Sequence, residues 1–253
     1  MEKQKSIPQL RFPEFEGEWD EYHFGRLFSF KTTNSFSREQ LTYDSGEVKN
    51  IHYGDIHTKF QTLFDIKNEL APYINSNISL HKISEDNYCQ EGDVIFADAS
   101  EDLNDVGKSI EVINLDSQKV LSGLHTILAR PKRNAFQVGF AGYLMKSSYV
   151  RTQIQKESQG TKVLSISSNR LSKISILYPT LPEQQKIASF FTAIDQKISQ
   201  LKRKKILLEQ YKKGVIQRIF TQKIRFKDDN GQEFPKWEKK KLGDISERMT
   251  TKN

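Results

Sequence analysis

The side chains best suited to chemistry in this sequence are cations and amides. Between residues 130 and 173 stand nine basic residues (Arg130, Lys132, Arg133, Lys146, Arg151, Lys156, Lys162, Arg170, Lys173) against one acid, Glu157. Phosphate oxygens take donors from Lys, Arg, Ser and Thr, whereas base edges need Arg, Lys, Asn, Gln, Ser or Thr at fixed geometry. This stretch supplies both kinds. Lys132 and Arg133 follow a predicted strand end, Arg151 and Gln155 fall four apart on a predicted helix, and Ser168, Asn169 and Arg170 occupy a predicted turn; Lys146 and Lys162 add charge. A second group, Lys31, Thr33, Asn34 and Arg38, has the same polar and basic make-up in an early loop, and Tyr53 and His57 follow it. The chemistry these residues offer is binding to a polyanion, not bond breaking.

Catalytic and metal patterns fail on their own spacing. Gly107-Lys108-Ser109 resembles the end of a phosphate-binding loop, but the glycine required earlier falls at Asp102, and Glu101, Asp102 and Asp105 would repel a triphosphate. It reads as a turn. Glu47-Val48-Lys49 with Asp44 echoes a nuclease acid-x-Lys cluster; such triplets arise by chance in a chain that is 28% charged, and a surface loop is expected there. His52 and His57 with Asp55 do not share one helix face or one strand face, so no metal site is expected. Gly139-x-x-Gly142 is not a dinucleotide fingerprint, and no cofactor is expected.

The elements that must position these residues follow from composition and period. With 36% hydrophobic and 28% charged residues, the 253-residue chain falls outside the disordered and fibrous classes. No run approaches a membrane span, the start is polar, and the single cysteine, Cys89, excludes an internal disulfide. A cytoplasmic, reducing setting is expected. Charge is segregated: residues 1–129 carry 12 Lys/Arg against 22 Asp/Glu, and residues 182–223 carry ten against three. Short β-branched or aromatic runs at 93–97, 110–115, 125–129, 163–166 and 174–178 predict strands, with helices expected at 37–41 and 139–155. The expected fold is α+β (mixed α/β). After Pro179, Thr180 and Glu183 form a capping-box pattern that starts a helix. From there Ile187, Phe191, Ile194, Ile198, Leu201, Lys205, Leu208, Lys212, Val215 and Ile219 recur every 3.5 to 3.6 residues, eight of the ten apolar. A helix of about 38 residues would be roughly 57 Å long, too long for a domain of this size to cover, so it is expected to form a coiled-coil arm.

An internal repeat sets the organisation. Trp19-x4-Phe24-Gly25-Arg26-Leu27 recurs as Trp237-x4-Leu242-Gly243-Asp244-Ile245, and Arg11-Phe12 ahead of the first matches Arg225-Phe226 ahead of the second. The expected division is a mixed α/β domain over 1–179, a long helix over 180–221, and the start of a second unit over 222–253.

Together, Pro8-Gln9-Leu10-Arg11-Phe12-Pro13 with Trp19, Gly92-Asp93-Val94-Ile95-Phe96, Gly123-Leu124-His125-Thr126 and Pro179-Thr180-Leu181-Pro182-Glu183-Gln184-Gln185 resemble the specificity subunit of a type I restriction-modification system. The resemblance spans essentially the whole chain. It implies a non-catalytic reader with two target recognition domains, each followed by a conserved helix, that directs methyltransferase and restriction subunits to a split double-stranded DNA sequence. This chain departs from that pattern in having one recognition domain and the opening of a second. A homodimer through the helix is therefore expected, presenting two identical readers to inverted half-sites. The alternative is an RNA-binding or scaffold protein assembled through the same coiled coil, which would show salt-sensitive binding without sequence preference.

Overall fold

The computed structural model describes residues 7–132, 135–247 and 249. In chain order the elements are β1 (Asp20–His23), α1 (Phe24–Leu27), β2 (Phe28–Lys31), β3 (Leu41–Thr42), β4 (Val48–Ile51), α2 (Tyr53–Thr58), β5 (Leu63–Asp65), β6 (Tyr73–Ile74), β7 (Val94–Ala97), β8 (Ala99–Ser100), β9 (Ser109–Ile113), β10 (Lys119–Ser122), β11 (Thr126–Pro131), α3 (Ala141–Leu144), α4 (Ser148–Glu157), β12 (Leu164–Ser165), α5 (Ser168–Leu171), β13 (Ser175–Tyr178) and α6 (Leu181–Phe220).

The centre is a five-stranded sheet in the order β2-β11-β7-β9-β5, antiparallel except for the parallel β9–β5 pair. Strand β7 shows why: all four of its residues are buried, with Val94 and Phe96 in one apolar cluster and Ile95 and Ala97 in the other. Successive side chains leave a strand on opposite faces, so an unbroken apolar run marks a strand covered on both sides. A second sheet, β10-β4-β6-β3, carries a smaller cluster of Val48, Ile74 and Leu121. Strands β1 and β13 pair antiparallel and lead into α6.

The mixed α/β architecture and the long helix agree with the sequence reading, and α6 runs 40 residues. Three expectations are corrected. The segment 139–155 is two helices, because buried Glu111 accepts the Gly139 and Gly142 amides at 2.6 and 2.7 Å and fixes the first one separately. Residues 37–41 are a 3-10 turn, Arg38–Gln40, running into β3. The surface loop expected around Glu47-Val48-Lys49 is largely buried strand β4, with Lys49 Nζ 5.2 Å from the centre of the Tyr73 ring.

Glu183, expected to close a capping box, gives its carboxylate to the start of the chain instead: it takes Arg11 Nε at 2.8 Å, Arg11 Nη2 at 2.6 Å and Trp19 Nε1 at 3.3 Å. Ile187 and Phe191, the first two seam residues, pack on the domain, Phe191 against the Tyr143 ring at 5.2 Å. Phe191 keeps 41% exposure beside that contact.

The chain divides into two compact units at Ile194/Asp195, inside α6. In the second unit the Phe220 and Trp237 rings meet edge to face at 5.9 Å. The sequence repeat is also a structural one. Arg11 donates to the carbonyls of Glu16 and Gly17, three and two residues before Trp19. Arg225 donates to those of Phe234 and Pro235, three and two residues before Trp237.

Candidate nucleic-acid interface

Strand β11 has its first and last residues at opposite ends of the central sheet, about 17 Å apart at roughly 3.3 Å per residue. At its first end five segments converge. The turn 123–125 is held by Gly123 N–H on the Ile51 carbonyl (2.8 Å), Tyr53 N–H on Leu124 (3.4 Å) and Asp98 N–H on the His125 carbonyl (3.0 Å). The early loop joins through Asn34 N–H on the Ser122 carbonyl at 3.0 Å and Thr33 Oγ1 on the Thr126 carbonyl at 3.3 Å. Lys108 Nζ donates to the His57 carbonyl at 2.8 Å, and His57 Nε2 lies 3.1 Å from the Ala99 carbonyl, so the 98–108 loop is tied to α2. Pairing of β12 with β8 brings the 159–165 segment, with exposed Lys162, beside them.

Helix α2 supplies the rings. Tyr53 sits 4.7 Å from His52, 5.3 Å edge-on from His125 and 6.1 Å edge-on from His57. His52 is buried and its Nδ1 accepts Gly54 N–H at 3.2 Å. Burial, then the Arg38 charge, lowers its pKa to about 4, so the ring stays a neutral acceptor and caps the helix. Asp55 is fully buried between Arg38 Nη1 at 2.7 Å and Lys59 Nζ at 2.9 Å. Burial alone would raise its pKa, and the two cations more than offset that. With two cations on one carboxylate, this corner keeps a net positive charge while α2 stays fixed to the loop.

The predicted residues fall into two groups. Thr33, Asn34, Arg38, Tyr53, His57 and Lys162 belong to the converging segments, although Asn34 Nδ2 is taken by Asn50 Oδ1 at 2.7 Å. Arg151 borders them, but its guanidinium donates to the carbonyls of Asn104, Val106 and Gly107 at 2.7–2.9 Å. It clamps the 98–108 loop. Gln155, half-buried, lies one turn further along α4. Lys146 donates to Thr62 Oγ1, and Lys31 forms an ion pair with Asp86. Lys132 sits past the last residue of β11, at the far end of the sheet, and donates to the Gly25 carbonyl at 3.0 Å. Arg170 holds Glu157, with Ser168 and exposed Asn169 beside it in α5. Arg133 lies outside the described residues. Two side chains the sequence reading did not select, His125 and Asp98, stand in the middle of the convergence.

The sequence matches the family model described as the type I restriction modification DNA specificity domain over residues 16–210. A curated relative, the type I restriction enzyme MjaIX specificity subunit of Methanocaldococcus jannaschii, is 32% identical over 111 residues, which is 41% of this chain and 26% of that protein. The S subunit of a type I restriction-modification system from M. genitalium superposes with a TM-score of 0.50 at 13% identity, over 79% of this chain and 44% of that one. A chain from a structure describing complex assembly and conformational transition of the type I R-M system superposes at 0.52 with 18% identity, over 83% and 46%. At these identities the likeness to solved structures is one of fold. The aligned region spans about a quarter of the curated relative and under half of each solved chain.

Proposed function

Because the chain belongs to the type I restriction modification DNA specificity domain family, we propose that it is a sequence-specific reader of double-stranded DNA that directs methyltransferase and restriction subunits to a bipartite target. It works in the cytoplasm and carries out no chemistry itself; methyl transfer and cleavage belong to the partner subunits. The observation that carries the reading is the convergence of the 31–38 loop, α2, the 123–125 turn and the 98–108 loop on one end of the central sheet. Loops on a rigid scaffold are where recognition groups collect. Thr33, Arg38, Tyr53, His57 and Lys162 are the proposed contacts. The test is a competition between a selected duplex and random duplexes across a salt series. A reader keeps a ratio of at least about 10³ between them, whereas a scaffold loses all binding with salt and shows no ratio.

The arm of the same protein is its assembly surface. Ile194, Ile198, Leu201 and Leu208 are exposed along one stripe of α6, and two such stripes bury each other in an antiparallel pair. Two copies joined this way would read inverted half-sites. Ile198→Asp with Leu208→Asp should give a monomer by light scattering with an unchanged melting transition of the recognition domain. A dimer that survives the double change would rule out pairing through this stripe.

A further inference from the structure

The 123–125 turn is more heavily pinned than a connection between two strands requires. A Cβ at Gly123 would lie 2.4 Å from Asn50 Nδ2 and 2.8 Å from the Ile51 carbonyl oxygen, so no side chain fits there. Thr126 Oγ1 hydrogen-bonds Ser122 Oγ at 2.7 Å and the Gly123 carbonyl, closing the turn from inside. His125 follows with φ +53°, a left-handed conformation that a non-glycine residue adopts only at an energetic cost. Its backbone carbonyl accepts from Asp98, yet its side chain is 53% exposed. Strain held on a rigid pedestal beneath an outward-pointing imidazole serves presentation of that ring, not packing.

The surroundings say what the ring would bind. His125 Nδ1 lies 3.2 Å from Asp98 Oδ1, an ion-pair distance, but out of line for a hydrogen bond; that oxygen has no hydrogen-bond partner among the described residues. The edge of the Tyr53 ring system limits the imidazole from α2, and buried His57 Nδ1 is likewise without a partner among the described residues. The charged and titratable groups around the ring are Asp98 from the end of β7, His52, Tyr53 and His57 from α2 and its cap, and Arg38 from the early loop. Asp98 is the only carboxylate among them in contact with His125. The outward-facing imidazole offers an N–H donor, and in the major groove the base with two adjacent acceptors, N7 and O6, is guanine.

Resting on the DNA-reading function above, we infer that His125, positioned by Asp98, is a specificity-determining residue that reads a guanine edge. His125→Ala should keep affinity for random duplex within about twofold, while selection from a random-sequence pool loses guanine preference at one position, a change of tenfold or more. All other positions should stay as in the wild type. Asp98→Asn should lose the guanine preference at the same single position as His125→Ala, and adding it to His125→Ala should change nothing further; a merely structural role for Asp98 would instead weaken selection at several positions and add to the His125→Ala effect. A His125→Ala chain that folds and selects the wild-type motif unchanged overturns the inference alone. A wild-type chain that selects no motif overturns both it and the function it rests on.

Discussion

The two ends of the central sheet both carry cations, and they use them in opposite ways. At the far end Arg130 is 11% exposed and fully committed: Nε and Nη2 meet both Asp93 oxygens at 2.9 Å, Nη1 meets Asp86 at 3.0 Å, and Nη2 also donates to the Tyr88 carbonyl at 2.7 Å. Asp93 itself has no exposure. At the 123–125 end, Arg38 and Lys59 share one buried acid and remain 43% and 50% exposed. A basic residue counts toward recognition only if its charge is left over after the fold has used it. Counting cations along 130–173 cannot distinguish Arg130, Arg151 and Arg170, which hold acids or carbonyls, from Lys162, which stays in water.

The largest expected effect breaks the committed end. Arg130→Ala leaves Asp93 buried without its counter-charge and should cost about 3–5 kcal/mol in a denaturant titration. Arg38→Ala at the other end should cost about 1–2 kcal/mol, because Lys59 still holds Asp55. Equal losses would mean the two ends are not differently committed.

A second test sharpens the comparison through pH. His52 is held neutral, with its pKa lowered to about 4 by burial and then Arg38. In the unfolded chain it takes up a proton near the usual histidine value of about 6.5. Between those values the unfolded state binds the proton that the folded state refuses. Its contribution is therefore full above about pH 6.5 and is lost as the pH falls toward 4. His52→Asn keeps a side-chain oxygen for the Gly54 amide and should flatten this part of the stability profile by about 2 kcal/mol. A mutant profile with the same slope from pH 6.5 to 4 would assign the acid sensitivity to other groups.

Much of this was legible in the residues. The run at 93–97 announced a strand, which the fold then covers on both faces, and the period from Ile187 onward announced a helix whose length α6 confirms. The Trp19/Trp237 repeat was visible as spacing, and the matched arginine-to-carbonyl contacts explain why the spacing recurs. What could not be read was tertiary. Nothing local marks Val48 to Ile51 as a buried strand, since Lys49 and Asn50 are buried only because Tyr73 and Asn34 come to meet them. Nor does sequence announce the positive φ of His125, which exists because Asn50 fills the space over Gly123 and Asp98 holds the next carbonyl. Neighbour-imposed geometry of this kind is what turns a polar residue into a site.

The smallest expected effect separates the two ends as DNA surfaces. Lys162 and Lys132 are both exposed, both lie in the basic stretch, and each carries one charge, so composition predicts the same loss from either. Lys132 donates to the Gly25 carbonyl at the far end, whereas Lys162 belongs to the segment that β12 brings beside β8. Affinity at a single salt concentration is a poor discriminator, because removing one solvated lysine changes it only a few-fold. The slope of log K against log salt reports the number of phosphates neutralised, at about 0.9 per contact. Lys162→Gln should make that slope shallower by about 0.9, and Lys132→Gln should leave it unchanged. The reverse result would move the DNA to the far end of β11, where Arg130 is already spent, and would leave the proposed contacts around α2 without a ligand.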